Sequence, residues 1–359
     1  MDEPLQKPMC QQRPIPLPCG RHDPDKAGLR RLSRLLDSAV PLLIIGGLLY
    51  AGLFIKPSAG GVSVPPPPIE KRDSYYGMAL PSLSTIWAVG TFGKVVRSDD
   101  AGKSWNVQPT PVTANLQSIA AWDAGHAVVV GNQGIVIITR DGGKSWSSVA
   151  APRSDVANKL MKVRIAPDGR AWAVGEMGAV LVSGDHGATW TRAAAEQDVT
   201  WGDIALDGER GVLVGEFGKI AISGDGGVTW SPVISPVQSS LTAVAFRDHL
   251  HGVAVGLEGV ILETEDGGKN WTRVPIKSRQ HLLDVIWDGN AWVAVGNRGI
   301  ALKSADASPK NWTTMLVAEQ AFGWYTKVEK SGNRYLFAGA TLATAENGTI
   351  SNFGKSSQR

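Results

Sequence analysis

Cysteine is almost absent from this 359-residue chain, and its two cysteines, Cys10 and Cys19, both lie near the N-terminus. The rest of the chain therefore cannot be held together by disulfides. Cys10 and Cys19 have only His22 close by, which makes a poor zinc ligand set, and free thiols are the expected state. No other metal or cofactor motif is present, so we expect neither a metal nor a cofactor.

An excess of charge of one sign is also missing. Beyond Lys56, basic and acidic residues are equal in number. A protein that binds nucleic acid through the phosphate backbone concentrates Lys and Arg on one surface. The sequence therefore predicts no nucleic-acid partner.

Long hydrophobic runs are missing as well, with one exception at Ser38–Ile55, which contains no charged residue. As a helix it would span about 27 Å, enough to cross a bilayer core. Basic residues precede it and only Lys56 follows, which predicts a cytoplasmic N-terminus. The alternative, a cleavable signal peptide, is disfavoured by the long segment before the run. We expect a single-pass protein of the inner (cytoplasmic) membrane, with a cytoplasmic tail (1–37), a signal-anchor helix (38–55), a Pro-rich linker (56–73) and an exoplasmic, periplasmic domain (74–355).

Repetition dominates that last domain. The pattern Ser/Thr-x-Asp-x-Gly-x-x-Trp, the Asp box, recurs about every forty residues and is looser in its last copy. Its aspartates are Asp100, Asp141, Asp185, Asp225, Asp266 and Asp306. A second pattern, Val-Gly-x-x-Gly, keeps step with it, and a degraded seventh copy ends at Gly339. One unit reads as four strands: Leu241–Phe246, Gly252–Gly256, Val260–Thr264 and Trp271–Val274. Four strands per forty residues are typical of a propeller blade. The sequence predicts an all-β, seven-bladed β-propeller preceded by one transmembrane helix.

The Asp boxes are interpreted as structural. A turn aspartate accepts hydrogen bonds from nearby backbone N–H groups, and glycine supplies positive φ at no steric cost. The following Trp covers the turn and packs on the neighbouring blade.

Catalysis is weighed because sialidases also carry Asp boxes. Those enzymes need a Tyr or carboxylate pair and three arginines, the first in an Arg-Ile-Pro motif ahead of the first box. Arg164-Ile165-Ala166-Pro167 is only a distant match and lies in the third unit. No tyrosine stands beside an obvious acid in the sequence. We therefore predict that the chain is not an enzyme.

Two regions remain as candidate binding sites. Strand alternation predicts that the central channel is lined by Lys162, Arg164, Asp203, Asp284, Lys327 and Glu329. These residues either surround a water-filled channel or form a site for a small ligand or a peptide end. The Gly-x-x-Gly turns should lie on the face opposite the Asp boxes, where apolar tips predict a partner surface. The candidate residues of that surface are Phe92, Met177, Phe217, Leu257 and Arg298. Each apolar tip folding back on its own blade is the alternative.

The Val-Gly-x-x-Gly and Asp-box units, with inner strands such as Leu241–Val244 and Leu282–Val285, resemble the photosystem II stability/assembly factor family over about residues 74–350. The resemblance implies a non-catalytic propeller on the exoplasmic side of a membrane that helps membrane-protein subunits assemble. Its members hold their client through basic residues, and here only Lys162, Arg164 and Arg298 lie near the predicted binding regions. We expect the partner to be a membrane protein or an envelope complex, such as a transporter. The resemblance also implies a role in photosynthesis. A sialidase-like glycoside hydrolase or a soluble-ligand receptor is the alternative.

Overall fold

The computed structural model describes residues 25–54, 66–316, 323–346 and 349–353. The chain divides into two compact units, Met1–Pro65 and Pro66–Arg359. Residues 1–24 of the predicted tail and 55–65 of the predicted anchor end and linker lie outside the described residues.

The first unit contains a helix, α1 (Asp25–Phe54), with Pro41 inside it. Its large apolar side chains are exposed from Val40 through Phe54. Within the part of the chain that the structure describes, no helix is long and apolar enough to cross a membrane.

The second unit confirms the predicted seven-bladed propeller. Every blade is an antiparallel sheet of four consecutive strands, of which the first is innermost. The strands of blades 1 to 3 are β1 (Tyr75–Ala79), β2 (Ile86–Gly90), β3 (Val95–Ser98), β4 (Asn106–Gln108); β5 (Leu116–Ala121), β6 (Ala127–Gly131), β7 (Val136–Thr139), β8 (Ser147–Val149); β9 (Leu160–Ile165), β10 (Ala171–Gly175), β11 (Val180–Ser183), β12 (Thr191–Arg192). Those of blades 4 and 5 are β13 (Trp201–Asp207), β14 (Arg210–Gly215), β15 (Ile220–Ser223), β16 (Ser231–Val233); β17 (Leu241–Phe246), β18 (Gly252–Gly256), β19 (Ile261–Thr264), β20 (Thr272–Arg273). Those of blades 6 and 7 are β21 (Leu282–Trp287), β22 (Trp292–Gly296), β23 (Ala301–Ser304), β24 (Trp312–Leu316); β25 (Tyr325–Ser331), β26 (Arg334–Gly339), β27 (Leu342–Glu346), β28 (Thr349–Asn352).

The second strand of a blade is the most deeply buried. All five residues of β2, β6, β10, β18 and β22 are buried. Because blades cover both faces of these strands, they read as continuous Val- and Ala-rich runs instead of alternating ones. The core therefore consists of seven apolar layers between neighbouring blades.

The outermost strand is shorter than the sequence predicts in blade 5. The sequence predicts this strand over Trp271–Val274, and the structure has it over Thr272–Arg273. The indole N–H of Trp271 donates to the carbonyl of Gly268 at 2.9 Å, so this residue belongs to the Asp-box turn.

The ring closes by side-chain packing between blades 7 and 1. In the described residues, neither of these blades borrows a strand from the other end of the chain. Ile69, Met78, Leu336 and Leu342 share one buried cluster. The ring of Phe353 packs edge-on against Trp105 at 5.4 Å between centroids, which fastens the end of blade 7 to the first Asp box.

Candidate functional site: the channel cup and the turn face

A β-bulge at the start of each inner strand shapes the channel. In all seven blades, the second residue of the inner strand is skipped in the pairing with the next strand. A bulge re-aims a side chain away from the regular alternation. The skipped residues are Tyr76, Gln117, Met161, Gly202, Thr242, Leu283 and Thr326.

These seven residues line a single cavity of about 300 Å³, which we call the channel cup. Each blade contributes one of them, so the cavity lies on the ring axis. The remaining lining residues are Lys162, Thr200, Glu216, Ser240 and Leu241. Glu216 belongs to a Gly-x-x-Gly turn, which places the cavity at the end of the channel that carries these turns. In the wall, the ring of Tyr76 stacks on that of Trp324, with 5.6 Å between centroids and ring planes 8° apart.

A network of ion pairs closes the cup from below. Lys162 Nζ of blade 3 lies 3.4 Å from Asp284 Oδ1 of blade 6. Lys327 Nζ of blade 7 lies 3.1 Å from the other oxygen of Asp284 and 2.8 Å from Glu329 Oε1. Blades 3 and 6 stand across the ring from each other, so the pair Lys162–Asp284 bridges the channel. Charged side chains therefore fill the channel below the cup. We call the group of Lys162, Arg164, Asp203, Asp284, Lys327 and Glu329 the channel plug.

A second part of the plug joins blades 3 and 4. Arg164 donates from Nε and Nη2 to the two carboxylate oxygens of Asp203, at 2.9 and 2.5 Å. Asp203 also accepts the backbone N–H of Val244 in blade 5 at 3.1 Å, and Asp284 accepts that of Val328 in blade 7 at 3.0 Å. Both carboxylates are fully buried and fasten their inner strand to a neighbour.

Three of these plug residues, Arg164, Asp284 and Lys327, have pKa values shifted toward their charged forms. Burial alone would raise the pKa of Asp284, but Lys327, Lys162 and Arg164 outweigh it and lower that pKa. Burial alone would lower the pKa of Lys327, but Asp284 and Glu329 reverse this and raise it. The pKa of Arg164 is likewise raised, against the effect of burial, mainly by Asp203.

The predicted channel residues are thus brought together, but in two roles. Lys162 lines the channel cup, and Arg164 lines a second cavity of about 410 Å³ toward the Asp-box face. Asp203, Asp284, Lys327 and Glu329 line neither cavity. The sequence does not predict the seven bulged residues as channel residues, because regular alternation would point their side chains between the blades and not into the channel.

Each Gly-x-x-Gly turn has two successive residues in a left-handed conformation, its second glycine and the residue just before that glycine. Non-glycine residues occupy the position before the glycine with φ between 54° and 61°, namely Phe92, Gln133, Met177, Phe217, Glu258 and Arg298. Side chains from the next blade accept hydrogen bonds from these turns. The backbone N–H of Phe92 donates to Asn115 Oδ1 at 3.1 Å, and that of Glu258 donates to His281 Nδ1 at 2.9 Å. A bulky residue at positive φ is uncommon and strained. A strained, exposed position is a candidate for function.

The predicted partner surface is uneven in exposure. Phe92 is 80% exposed and Phe217 is 70% exposed. Arg298 is also exposed, whereas Met177 and Leu257 are half-buried. Leu257 stands one residue before the left-handed position, which Glu258 occupies. Phe92 and Phe217 stand in blades 1 and 4, so the two exposed rings lie on different sides of the cup.

The first five Asp boxes form compact turns. In blade 4, Asp225 Oδ1 accepts the hydroxyl of Ser223 at 2.8 Å and the N–H of Thr229 at 2.9 Å, and its Oδ2 accepts the Thr229 hydroxyl at 2.5 Å. The hydroxyl four residues on is the main cause that lowers the pKa of Asp225 to about 2, and this holds for Asp100, Asp141 and Asp185. Asp266 has the same partners, with Asn270 in place of the hydroxyl residue. These carboxylates are committed to their own turns.

The sixth box departs from this geometry. Ser304 donates to the backbone carbonyl of Asp306 at 2.6 Å, not to its carboxylate. Asp306 Oδ1 accepts only the N–H of Ser308, at 2.7 Å, among the described residues. The Ala-Ser-Pro sequence lacks the glycines that let the other boxes adopt positive φ.

Several clusters of charged and aromatic side chains join neighbouring blades. Tyr335 has no acidic residue beside it in the sequence, but in the structure its hydroxyl donates to Asp288. Lys303 Nζ lies 2.8 Å from that hydroxyl and 2.9 Å from Asp288. This cluster joins blades 6 and 7. The arginines of the second cavity are engaged too: Arg210 lies over the ring of Phe246, and Arg247 donates to the carbonyl of Ala307. In the residues covered by the structure, no cluster of His, Cys, Asp and Glu suits a metal ion.

The fold and its channel define a seven-bladed Asp-box propeller with a plugged channel and one cup on the turn face. The model of the photosynthesis system II assembly factor YCF48 family matches residues 103–235 and 228–352. The chain therefore belongs to this family, as the sequence resemblance predicted. No curated protein matches the chain.

Solved structures share the fold. A structure described as YCF48 bound to D1 peptide has a TM-score of 0.64 and 18% identity, covering 80% of this chain and 95% of its own. YCF48 from Cyanidioschyzon merolae has a TM-score of 0.62 and 17% identity, covering 78% and 97%. The GH74 xyloglucanase from Xanthomonas campestris has a TM-score of 0.62 and 16% identity, covering 78% of this chain but 52% of its own. At these identities the likeness concerns the fold alone, and the fold occurs in both binding proteins and glycosidases.

Proposed function

We propose that this protein is a non-catalytic scaffold that holds an apolar segment of a membrane protein on the turn face of its propeller during assembly of a membrane complex. The observation that carries the proposal is the pair of aromatic side chains, Phe92 and Phe217, presented at 80% and 70% exposure on rigid turns. Membership of the YCF48 family supports it, and one relative is described as bound to a D1 peptide.

Energetics favour a covered surface here. A buried Phe contributes about 2 kcal/mol relative to an exposed one, and each of these rings also sits at a strained φ of 54°. Within the described part of the chain, no contact buries these rings or offsets the strain of their backbone. A partner that covers both rings would recover the burial term.

We further propose that residues 38–55 anchor the protein in the inner membrane, with the propeller on the exoplasmic side. The support is the uncharged run, the basic residues before it and the apolar side chains exposed along α1, such as Leu42, Leu48 and Leu53. A helix that is apolar all round is suited to a lipid environment. An alkaline phosphatase fusion after Arg359 should be active in intact cells. An inactive fusion that becomes active when residues 1–55 are replaced by a cleavable export signal would refute this topology.

Site-specific photocrosslinking tests the partner surface. A benzoylphenylalanine placed at position 217 should crosslink to an integral membrane protein in intact membranes. The matched control is position 228 in the same blade, because Val228 is 73% exposed but belongs to the Asp box on the opposite face. Equal crosslinking from both positions, or none from 217, would contradict the proposal.

A double substitution provides the second test. Phe92→Ser with Phe217→Ser should keep the thermal unfolding temperature but should no longer recover, in a pull-down without crosslinking, the partner that the crosslink identifies. Gln133→Ser with Glu258→Ser is the matched control, since these residues occupy the same left-handed position in blades 2 and 5. Unchanged recovery with the Phe pair would exclude the two rings from binding.

A further inference from the structure

The channel plug exposes only cations to the cavities on either side of it. Its buried acids, Asp203 and Asp284, line neither cavity, whereas Lys162 lines the channel cup and Arg164 lines the cavity toward the Asp-box face. The plug is neutral in sum, but its charges are arranged so that the floor of the cup is an ammonium group. Such a floor favours an anion.

Lys162 has hydrogen-bonding capacity left over. An ammonium group carries three donors, and within the described residues its Nζ makes one hydrogen bond, to Asp284 at 3.4 Å. Its side chain is only 13% exposed, so bulk water reaches it poorly. A charged donor in a low-dielectric site gains more from an anionic acceptor than one on an open surface.

The cup wall suits an apolar body above that floor. Tyr76, Met161 and Leu283 contribute apolar surface. The hydroxyl of Thr242 already donates to the carbonyl of Leu282 at 2.7 Å. The other charged residue in the wall, Glu216, is also engaged, since its Oε1 accepts the N–H of Thr200 at 2.8 Å.

We propose that the channel cup binds a carboxylate carried on an apolar body, with Lys162 as its counter-ion. The inference rests on the proposed scaffold function and deepens it, because the cup opens on the same face as the two exposed Phe rings. The carboxylate can come from the C-terminal residue of the partner chain or from a small free carboxylic acid. Both sources share the chemistry that Lys162 recognises.

Fluorescence anisotropy on the purified full chain tests this site. The probe is fluorescein-Gly-Ala-Leu-Phe with a free C-terminal carboxylate, compared with the same peptide as an amide. We expect the free acid to bind at least tenfold more tightly than the amide. Lys162→Met should remove this difference, and Lys144→Met, a change of an exposed lysine on the Asp-box face, should preserve it.

A second variant keeps the test independent of the plug. Leu283→Trp fills the cup without touching an ion pair and should weaken the free-acid peptide at least tenfold. Competition by 4-methylpentanoate distinguishes the sources: displacement at a concentration close to the peptide's own Kd indicates a small acid, and a much higher requirement indicates a chain end. Equal binding of acid and amide, no binding of either, unchanged selectivity in Lys162→Met, or unchanged affinity for the free-acid peptide in Leu283→Trp would overturn the proposal.

The outcome is separable from that of the proposed function. Crosslinking from position 217 does not involve Lys162. If that crosslink forms and the peptide shows no carboxylate selectivity, only the cup proposal fails. If the crosslink is absent while the peptide binds as expected, the scaffold function fails and the cup remains a small-ligand site.

Discussion

Three glycines of one Asp box allow the cost of packing between blades to be separated from backbone strain. Gly227 has φ of +88°, and a Cβ placed on it would lie 2.3 Å from the ring of Trp172 in the preceding blade. Gly226 has φ of +74°, and its nearest neighbour is Arg170 Nη2 at 3.5 Å. Gly224 has no positive φ, and no atom lies within 4 Å of its would-be Cβ.

The three alanine variants should therefore fall in a fixed order of stability. Gly224→Ala should be close to wild type. Gly226→Ala should lose about 1 kcal/mol from the left-handed backbone. Gly227→Ala should lose about 3 kcal/mol, because Trp172 is buried and overpacking a core costs a further ~1–3 kcal/mol.

Differential scanning calorimetry of the full chain measures this order. At ~2–4 °C per kcal/mol for a large domain, Gly227→Ala should unfold roughly 6 to 12 °C below wild type. Unfolding of Gly227→Ala at the same temperature as Gly226→Ala would show that Trp172 does not press on the box. The blades would then be less tightly joined than the structure indicates.

Three further predictions concern acid, the plug and ring closure. Four Asp-box carboxylates, those of Asp100, Asp141, Asp185 and Asp225, have pKa values of about 2 when folded, below the unfolded value of about 4. Their contribution to stability is therefore present above pH ~4 and is lost as pH falls toward 2. The unfolding temperature should drop over that window, less steeply in Asp225→Asn, and an equal slope would contradict this. Arg164→Met should lower the free energy of unfolding, measured by chemical denaturation, by about 2–3 kcal/mol, because it leaves the buried Asp203 without its cation. Adding Asp203→Asn in the double variant should restore part of this loss. No recovery would argue that the two side chains do not form a stabilising pair. Phe353→Ala should lower the free energy of unfolding by ~1–2 kcal/mol and speed proteolysis of blade 7. Phe217→Ala, a change of an exposed residue, should do neither. Equal effects of the two substitutions would mean that Phe353 does not fasten blade 7 to blade 1.

Much of the fold can be read from local sequence. The Asp box, with its hydroxyl residues and glycines, encodes a turn whose hydrogen bonds lie within five residues of Asp225. The Val-Gly-x-x-Gly turns mark the opposite face equally well. These features are predictable because every interaction that defines them is short in sequence.

The site was less accessible for the opposite reason. Lys162 and Asp284 are 122 positions apart and meet only because blades 3 and 6 face each other across a closed ring. The bulges that bring Tyr76 and Met161 into the cup break the strict alternation on which the sequence prediction of the channel relied.

The amino-acid sequence by itself determined the number of blades, the register of the turns and the family, because repeats and turn chemistry are local. Only the tertiary structure decided which charges plug the channel, which turn tips are exposed and that a cup exists at all. Those properties depend on closing seven blades into one ring, where each inner strand meets partners that are distant along the chain.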